Sequence, residues 1–464
     1  MMIERSAASM HDPAGMVYEI DGNILRQVNL VSQPDYDRLM SSGLYDQLTK
    51  KRWLIPHQEV NDKPFDQSVA YIVLKPKKIE VISYPYEWSF SQLKDAALLT
   101  LSIQKEALRY GMTLKDASAY NIQFQHGSPI FIDTMSFTIY QEGDPWVAYR
   151  QFCQHFLAPL SLMSYIDLHM GRLLSLYIDG IPLNLCSKLL PFSSHFDIRL
   201  QTHIHLHARA EKHFSRTEQV STDRKLSNKP RKISKEGMLG LLDNLENTIQ
   251  KLNIKISGEN WANYYEDTNY SETAFIGKRE LVRKWVNEFS IKRLLDLGAN
   301  TGEFSREFTN QNFIVVSTDI DPEAVEINYL SAKKDQISNL LPLVIDLTNP
   351  SPSIGWNNLE RESFYLRAQS DLVMALALIH HLAITNNIPL IDIAYTFAKL
   401  GSYLLLEFIP KEDSQVQRLL QSREDIFHSY SLEELETTFS KLFILLKKAP
   451  IPDSQRTLLL FKRK

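Results

Sequence analysis

Residues 294–304 read LLDLGANTGEF, a short apolar run that leads into two glycines four positions apart. Glycine at such positions lets the backbone turn sharply and approach a ligand that side chains would obstruct. A phosphate-binding P-loop needs Lys and then Ser or Thr after its last glycine, whereas Glu303 and Phe304 follow Gly302. The GxxxG spacing also disfavours a dinucleotide site, which requires GxGxxG. The run fits a third pattern, apolar-apolar-acid-apolar-Gly-x-x-x-Gly.

From about residue 256 onward, short apolar runs alternate with amphipathic ones. Strands are predicted at RLLDLG, FIVVSTD, PLVIDL, DLVMALAL and YLLLEFI, with helices between several of them. This alternation is typical of an α/β fold with a doubly wound, mostly parallel, Rossmann-like sheet. Ligands of such sheets bind beyond the carboxyl ends of the strands. The glycine loop is therefore predicted to lie at that edge.

Two further acids follow predicted strands of the same sheet. Asp319 ends FIVVSTD, and a carboxylate there can accept hydrogen bonds from both ribose hydroxyls of an adenosine. Asp346 ends PLVIDL, where it can accept from an adenine amino group. The alternatives are that Asp296 caps the glycine turn and that Asp346 caps the LTNP segment after it.

With these motifs in order, residues 256–464 resemble a class I S-adenosylmethionine-dependent methyltransferase. The resemblance implies S-adenosyl-L-methionine as the cofactor. Its methionine and ribose portions would be surrounded by Asp296, Gly298, Ala299 and Gly302, with Asp319 on the ribose and Asp346 and Leu347 on the adenine. Many family members also have a segment that closes over the cofactor. Trp261, Tyr264, Tyr265 and Tyr270 lie in the corresponding stretch, and packing against the sheet is the alternative.

The candidates for a general base come after the fourth strand, in ALALIHHL. His380 and His381 carry imidazoles with a suitable pKa, and His381 is slightly favoured, although both could be packing residues. A base is needed when the methyl acceptor is protonated, as a hydroxyl is. Glu407 is another acid at this edge, and the alternative for it is a salt bridge with Lys411.

The acceptor class is indicated by the residues directly after the fourth strand. Relatives that methylate amino groups of DNA and protein carry an Asn/Asp-Pro-Pro-Tyr-like motif there, whereas this chain has ALAL at 375–378. The resemblance therefore implies a small-molecule or glycan acceptor, methylated on oxygen. The net charge of −4 agrees in disfavouring a nucleic-acid partner.

The N-terminal half contains LKDASAYNIQFQHGSPIFIDTMSF at 114–137. Asp116, Asn121 and Asp133 in this stretch resemble the catalytic loop and metal-binding aspartate of the protein kinase and aminoglycoside phosphotransferase superfamily. The departures are Leu114-Lys115 for His-Arg, Thr134-Met135 for Phe-Gly, a lone Gly22 in place of a glycine-rich loop, and no VAIK-like lysine. The resemblance implies an α+β accessory domain of degenerate kinase-like fold. In the alternative interpretation, Asp116 and Asn121 cap turns beside a hairpin.

These features predict a kinase-like domain at 1–205, a basic linker and bridging helix at 206–255, and the methyltransferase domain at 256–464. The arrangement is similar to that of bacterial enzymes that modify surface or signalling saccharides, and to nodulation-type methyltransferases. A bifunctional kinase and methyltransferase, or a non-catalytic module that binds S-adenosylmethionine, are the competing hypotheses.

The cysteine count and the apolar runs indicate the compartment. Only Cys153 and Cys186 occur, which favours a reducing cytoplasm. No uncharged apolar run approaches the ~18 residues of a membrane helix, so membrane insertion is not expected, and peripheral association stays open. His203, His205 and His207 alternate in THIHLH and could hold zinc on a strand, but their flanks are predicted to be helical, so no metal is expected.

Overall fold

In the computed structural model, the described residues are 3–9, 12–209, 232–256, 271–309, 311–421 and 425–464. The chain divides into two compact units. The first comprises Met1–Lys255 with Ser353–Glu362, and the second comprises Ile256–Pro352 with Ser363–Lys464. No helix in the described ranges combines the length and apolar character needed to cross a membrane.

The first unit contains a five-stranded antiparallel sheet in the order β1-β2-β3-β5-β4. Its strands are β1 Ile3–Arg5, β2 Gly15–Ile20, β3 Asn23–Asn29, β4 His57–Val60 and β5 Ala70–Pro76. Two small antiparallel pairs come next along the chain, β6 Met112–Leu114 with β9 Phe137–Ile139, and β7 Ile122–Gln125 with β8 Ser128–Phe131.

Helices make up most of the remaining first unit. They are α1 Gln33–Ser41, α2 Leu44–Lys50, α3 Phe90–Arg109, α4 Tyr149–Phe152, α5 Ala158–Tyr165, α6 Leu183–Leu189, α7 Ile198–Leu200 and α8 Lys235–Lys251. The long helix α3 begins with a capping box, in which Ser89 and Gln92 each accept the other's backbone N–H. Apolar spacing predicts a helix after the linker, and α8 is that helix, which lies within the first unit. Most of the predicted basic linker, at 210–231, lies outside the described residues.

The second unit is built on a seven-stranded sheet in the order β12-β11-β10-β13-β14-β16-β15. Its strands are β10 Arg293–Leu297, β11 Ile314–Asp319, β12 Leu340–Val344, β13 Ser370–Ala375, β14 Gly401–Phe408, β15 Phe443–Pro450 and β16 Thr457–Arg463. The first five in sequence are parallel to one another. The strand β16 is antiparallel to both of its neighbours, β14 and β15. The prediction of a mostly parallel α/β sheet is thus confirmed.

Helices of this unit are α9 Glu272–Val286, α10 Glu303–Arg306, α11 Pro322–Lys334, α12 Phe364–Arg367, α13 Leu390–Leu400, α14 Ser414–Leu420 and α15 Leu432–Phe439. The central strands are apolar on both faces; Leu294, Leu295, Leu372 and Val373 are fully buried between the helices. Strand order reverses between β10 and β13, because β11 and β12 lie on one side of β10 and β13 and β14 on the other. A crevice is expected at this switch point.

One short segment belongs to a different unit from the residues on either side of it in sequence. Residues Ser353–Glu362 come after β12 of the second sheet in sequence but belong to the first unit. The Arg361 guanidinium lies 4.4 Å from the centre of the Tyr120 ring, and the backbone N–H of Glu362 donates to the Tyr84 hydroxyl at 3.0 Å. The segment is therefore held by side chains of the first unit.

Candidate cofactor site

The glycine loop leaves β10 in a conformation that requires glycine. Gly298 and Gly302 have φ of +69° and +82°, in the left-handed region. A Cβ on Gly302 would lie 2.3 Å from the Asn328 side-chain oxygen, and one on Gly298 would lie 3.1 Å from the Leu378 side chain. Glycine at these two positions therefore leaves the backbone without side chains where the loop passes the end of the sheet.

A cavity of about 300 Å³ opens beside this loop. Its volume is at the lower end of the range of small-molecule sites. Seven of the nine predicted site residues line it, namely Asp296, Gly298, Ala299, Asp319, Asp346, Leu347 and His381. Gly302 and His380 are not among the lining residues. The predicted aromatic covering residues at 261–270 lie outside the described residues.

Asp319 ends β11 at the cavity with only 9% of its surface exposed. The backbone N–H groups of Asn300 and Asp321 donate to its two carboxylate oxygens, at 2.7 and 3.0 Å. Each oxygen keeps a lone pair for a further donor. Burial raises the pKa of Asp319 to about 6, although these backbone hydrogen bonds oppose the rise. The site thus contains a desolvated carboxylate with acceptor capacity left for ribose hydroxyls.

Asp296 lies on the neighbouring strand, with 2% of its surface exposed. The Ser305 hydroxyl donates to its Oδ2 at 2.5 Å. Burial raises the pKa of Asp296 to about 7, and the nearby Lys278 ammonium works in the opposite direction. Ser305 and Lys278 thus compensate the burial of Asp296 only in part, and a cationic group of a ligand would favour its ionised form.

Sequence reasoning missed the cation of this cavity. Lys278, on α9, lines the cavity and is 3% exposed. Its Nζ lies 2.7 Å from Glu407 Oε2 and 4.4 Å from the centre of the Phe304 ring. Burial lowers the pKa of Lys278, while Glu407 favours its charged form. No local motif indicates this pair, because its members are far apart in sequence and meet only in the folded unit.

The predicted alternative for Glu407, a salt bridge with Lys411, is wrong. Glu407 pairs with Lys278 and, at 3.4 Å, with Arg456, whereas Lys411 pairs with Asp425 at 2.8 Å. The reason is that the Glu407 side chain, at the end of β14, points into the core and is fully buried. Helical i, i+4 spacing does not apply after a strand.

The two histidines differ in position. His381 lines the cavity at the start of a π-helical turn, His381–Thr385, and burial lowers its pKa to about 4. His380 is fully buried, with its ring 4.1 Å from that of His381 and neither ring nitrogen hydrogen-bonded to a described residue. Burial lowers the pKa of His380 well below its usual value. Of the two, only His381 is positioned to meet a ligand of this cavity.

The adenine-side candidate has two roles in the structure. The strand β12 ends at Val344, earlier than predicted, so Asp346 lies in the turn beyond it. Its Oδ1 accepts from the backbone N–H and the hydroxyl of Thr348, at 2.9 and 2.6 Å. Asp346 therefore caps the following segment, as the alternative interpretation has it, and also lines the cavity with Leu347.

The acids of the first unit form a different kind of cluster. Arg26, on β3, forms an ion pair with Asp133, which also accepts from the backbone N–H of Met135 at 3.1 Å and the hydroxyl of Ser136 at 2.5 Å. Burial alone would raise the pKa of Asp133, but Arg26 and these hydrogen bonds outweigh it and lower the pKa. Asn121 donates to Ser136 at 3.1 Å. The cluster is therefore satisfied by its own side chains.

Asp116 caps the turn that comes after it, as its alternative interpretation predicts. The backbone N–H of Ser118 donates to Asp116 Oδ1 at 2.8 Å. Burial and the charge of Asp133 raise the pKa of Asp116. Across the described residues, no group of three or more His, Cys, Asp or Glu has the arrangement of a metal site.

Two of the three alternating histidines, His203 and His205, lie in a π-helical turn, Gln201–His205. His203 lies 2.7 Å from both the Tyr149 hydroxyl and the Asn244 side chain. His205 lies between the hydroxyls of Ser187 and Ser194, at 2.8 and 3.0 Å. Their ring nitrogens are used in joining helices of the first unit.

Comparison with known proteins agrees with the geometry of the second unit. A family model described as a methyltransferase domain matches residues 272–442. Over 464 residues, the chain is 34% identical to the nodulation protein NoeA of Rhizobium meliloti (strain 1021), with 99% of this chain and 96% of that protein covered.

Solved structures show weaker likeness. The N-methyltransferase NodS of Bradyrhizobium japonicum WM9, in complex with S-adenosyl-L-homocysteine, has a TM-score of 0.33 and 12% identity, covering 44% of this chain and 93% of that one. Magnesium protoporphyrin IX methyltransferase (ChlM) of Synechocystis PCC 6803, with bound SAM, has a TM-score of 0.31 and 15% identity, covering 44% and 89%. Neither likeness is strong enough to support a further argument.

Proposed function

The chain belongs to the family of the nodulation protein NoeA and is an S-adenosylmethionine-dependent methyltransferase, and from that premise we propose that it methylates a hydroxyl of a small-molecule or glycan acceptor. The observation that supports this proposal is the neutral imidazole of His381 in the same cavity as Asp296 and Asp319.

Each part of the cofactor can be assigned to residues that line the cavity at the end of a particular strand. S-adenosylmethionine supplies a methyl group on a positively charged sulfur when it is bound. Asp319 would accept from the ribose hydroxyls, and Asp346 with Leu347 would flank the adenine. At the other end, Asp296 and Lys278 offer opposite charges that match the ammonium and carboxylate groups of the methionine portion.

His381 would act on the acceptor. A hydroxyl must lose its proton as it attacks the methyl carbon, and a nearby base accelerates that step by ~10²–10⁴-fold. Burial lowers the pKa of His381 to about 4, so its imidazole is unprotonated at neutral pH and can accept this proton, and it is a weak base in the free protein. Leu376 and Leu382 line the cavity as well and would limit water at the reacting atoms.

The acceptor class is inferred from two observations. The cavity lies in a protein whose relative is a nodulation protein, and we extend that context to this chain. The chain also lacks the Asn/Asp-Pro-Pro-Tyr-like motif of amine-directed relatives at residues 375–378. A small polar molecule or a saccharide fits both observations better than a nucleic acid.

For the first unit we propose a degenerate kinase-like accessory domain, spanning 1–205 and joined through 206–255 to the methyltransferase domain at 256–464. The ion pair between Arg26 and Asp133 supports the degenerate part of this proposal, the loss of phosphotransfer, because a magnesium ion would have to displace the guanidinium to reach the carboxylate. The same contact argues against the bifunctional kinase alternative.

The function is tested by incubating the full chain with methyl-labelled S-adenosylmethionine and a pool of saccharides and polar metabolites. We expect an O-methylated product and stoichiometric S-adenosylhomocysteine. His381→Gln should lower kcat by ~100-fold, since it removes the base, while cofactor affinity changes by less than ~3-fold.

The exposed His428 of the same unit provides the matched control, and His428→Gln should retain full activity. An N-methylated product, formed at the same rate by His381→Gln, would exclude the hydroxyl acceptor and the role of His381. A complete lack of turnover with every acceptor would favour the non-catalytic binding module.

A further inference from the structure

The first unit presents a group of exposed apolar side chains near the end of its helical part. Phe192, Phe196 and Ile198 are 77%, 78% and 78% exposed. Leu189 and Leu206 are also exposed. We call these five residues the Phe192 surface. An exposed apolar group of this kind, on a unit whose core is otherwise well buried, indicates an interaction site.

Hydrogen bonds and ring contacts join the elements that carry the Phe192 surface. The His205 ring lies within hydrogen-bond distance of Ser187 on α6 and of Ser194 in the 3₁₀ turn Phe192–Phe196, so it joins these two elements. The His195 ring stacks on His205, with 3.7 Å between ring centres. The Phe192 and Phe196 rings meet edge to face at 5.5 Å. Phe192 and Phe196 therefore project side by side from elements that His205 ties together.

The segment that carries these side chains is poor in carboxylates. From 181 to 209 the sequence contains a single carboxylate, Asp197, and Arg199 already engages both of its oxygens, at 2.8 and 2.6 Å. Lys188 and Arg209 are exposed. The segment thus carries two exposed cations, one next to Leu189 in sequence and one three residues after Leu206, whose charge no carboxylate of the same segment cancels.

We propose that the Phe192 surface docks the enzyme on a lipid membrane that contains anionic headgroups. Phenylalanine and isoleucine side chains that project from short turns can enter the interfacial region, while flanking lysine and arginine contact lipid phosphates. This occupant explains the two properties together, apolar protrusion and one-sided charge.

A second copy of the chain fits these charges less well. In a two-fold contact the same surface lies on both partners, so Lys188 and Arg209 of each copy would meet a surface whose own segment offers Asp197 as its single carboxylate. The carboxylate of the segment, Asp197, is already paired with Arg199. Like charges would therefore face each other without compensation, whereas an anionic lipid layer supplies the missing counter-charge.

The test is sedimentation of the full chain with vesicles of phosphatidylcholine, with and without phosphatidylglycerol. We expect the chain to pellet with the anionic vesicles and to be released by salt. The double variant Phe192→Ser/Phe196→Ser should reduce the bound fraction by ~10-fold or more, and Lys188→Glu/Arg209→Glu should abolish the preference for anionic vesicles.

A matched control and a direct probe distinguish docking through the Phe192 surface from nonspecific hydrophobic adsorption. Trp356 is 69% exposed on the segment Ser353–Glu362 of the same unit, and Trp356→Ser should leave vesicle binding unchanged. In the variant Phe192→Trp, the tryptophan emission should shift to shorter wavelength when anionic vesicles are added. Thermal unfolding and cofactor affinity of all variants should equal those of the wild type, which separates this proposal from the proposed function.

The proposal is overturned if the wild type fails to pellet with anionic vesicles, or if Trp356→Ser loses binding as much as the phenylalanine variant does. A preference for anionic vesicles that survives Lys188→Glu/Arg209→Glu would also overturn it. If light scattering finds a dimer that Phe192→Ser/Phe196→Ser converts to a monomer, without vesicle binding by either, the surface serves a second copy instead.

Discussion

The two units of the chain handle buried aspartates in opposite ways. In the second unit, burial raises the pKa of Asp296 to about 7 and that of Asp319 to about 6, and both face a cavity. In the first unit, Arg26 and hydrogen bonds lower the pKa of the half-buried Asp133 despite its desolvation. The free-energy cost of burying a carboxylate is only partly compensated by hydrogen bonds in the second unit, whereas a paired guanidinium and hydrogen bonds outweigh it in the first.

This difference separates a ligand site from a structural site more clearly than residue identity does. Both aspartate sets resemble, in sequence, the acids of known enzyme families. A carboxylate whose charge the protein does not neutralise gains most from a ligand that donates hydrogen bonds to it. A carboxylate already held by a guanidinium has little to gain. The largest effects of substitution should therefore be on stability in the first unit and on binding in the second.

The largest expected effect is that of Asp133→Asn. It leaves the largely buried Arg26 guanidinium without its counter-charge, so the free energy of unfolding of the first unit should fall by ~2–4 kcal/mol in urea titrations. Cofactor affinity should stay within ~2-fold of wild type. The more exposed pair of Lys105 and Asp243 is the control, and Asp243→Asn should cost less than ~1 kcal/mol.

The contrary result for Asp133 is equally specific. Magnesium-dependent ATP binding by the wild type, lost in Asp133→Asn with little change in stability, would make the cluster of the first unit a ligand site. The comparison between the two units would then fail, and the bifunctional alternative would replace it.

The next effect is on cofactor binding. Asp319→Ala should weaken the affinity for S-adenosylhomocysteine, measured by calorimetry, by ~1–3 kcal/mol, because it removes charge-assisted hydrogen bonds to the ribose. Asp346→Asn is the comparison variant and should change affinity by less than ~3-fold, since Asp346 already caps the turn at Thr348. Unchanged affinity of Asp319→Ala would refute this placement of the ribose.

The smallest effect concerns pH. Because a contact with the ribose hydroxyls requires an ionised Asp319, a group with a pKa of about 6 in the free protein must lose its proton before the cofactor binds. Affinity should therefore fall as the pH falls, by ~3–10-fold between about pH 8 and about pH 5.5. Asp319→Asn should flatten the profile. A flat profile of the wild type would show that Asp319 does not control binding.

Stability of the free protein should change in the opposite direction. The folded-state pKa of Asp296 and Asp319 lies above the unfolded value of 3.8, so the folded state binds protons more tightly. Their contribution to the free energy of unfolding of the free protein increases as the pH falls from above 7 toward 4. Saturating cofactor should reduce or reverse this trend in thermal melts.

Much of the lining of the cavity beside the glycine loop could be predicted because it depends on local rules. Gly298 and Gly302 are required by left-handed backbone, and Asp319 by its position at the end of a strand, so short motifs record them. Lys278 and Glu407 form the buried pair that sequence reasoning missed. Their contact depends on how the helix α9 and the strand β14 come together in the folded unit, which no short window of sequence contains.

The errors also have local physical causes. His380 and His381 are neighbours, and which of them faces the cavity depends on the π-helical turn that begins at His381. Apolar periodicity does not predict that turn. The sequence predicts Asp346 at a strand end because the apolar run before it looks continuous, whereas pairing with β11 stops at Val344. The boundary segment Ser353–Glu362 has no compositional change that would mark its membership of the first unit.

That segment has a consequence for how such a protein can evolve. The chain runs from β12 of the second sheet into Ser353–Glu362, where Arg361 and Glu362 contact Tyr120 and Tyr84, and then returns to β13. Two modules joined end to end could be exchanged by recombination at one point, but these share an internal loop. A chimera that exchanges one whole unit with a relative therefore needs three junctions instead of one.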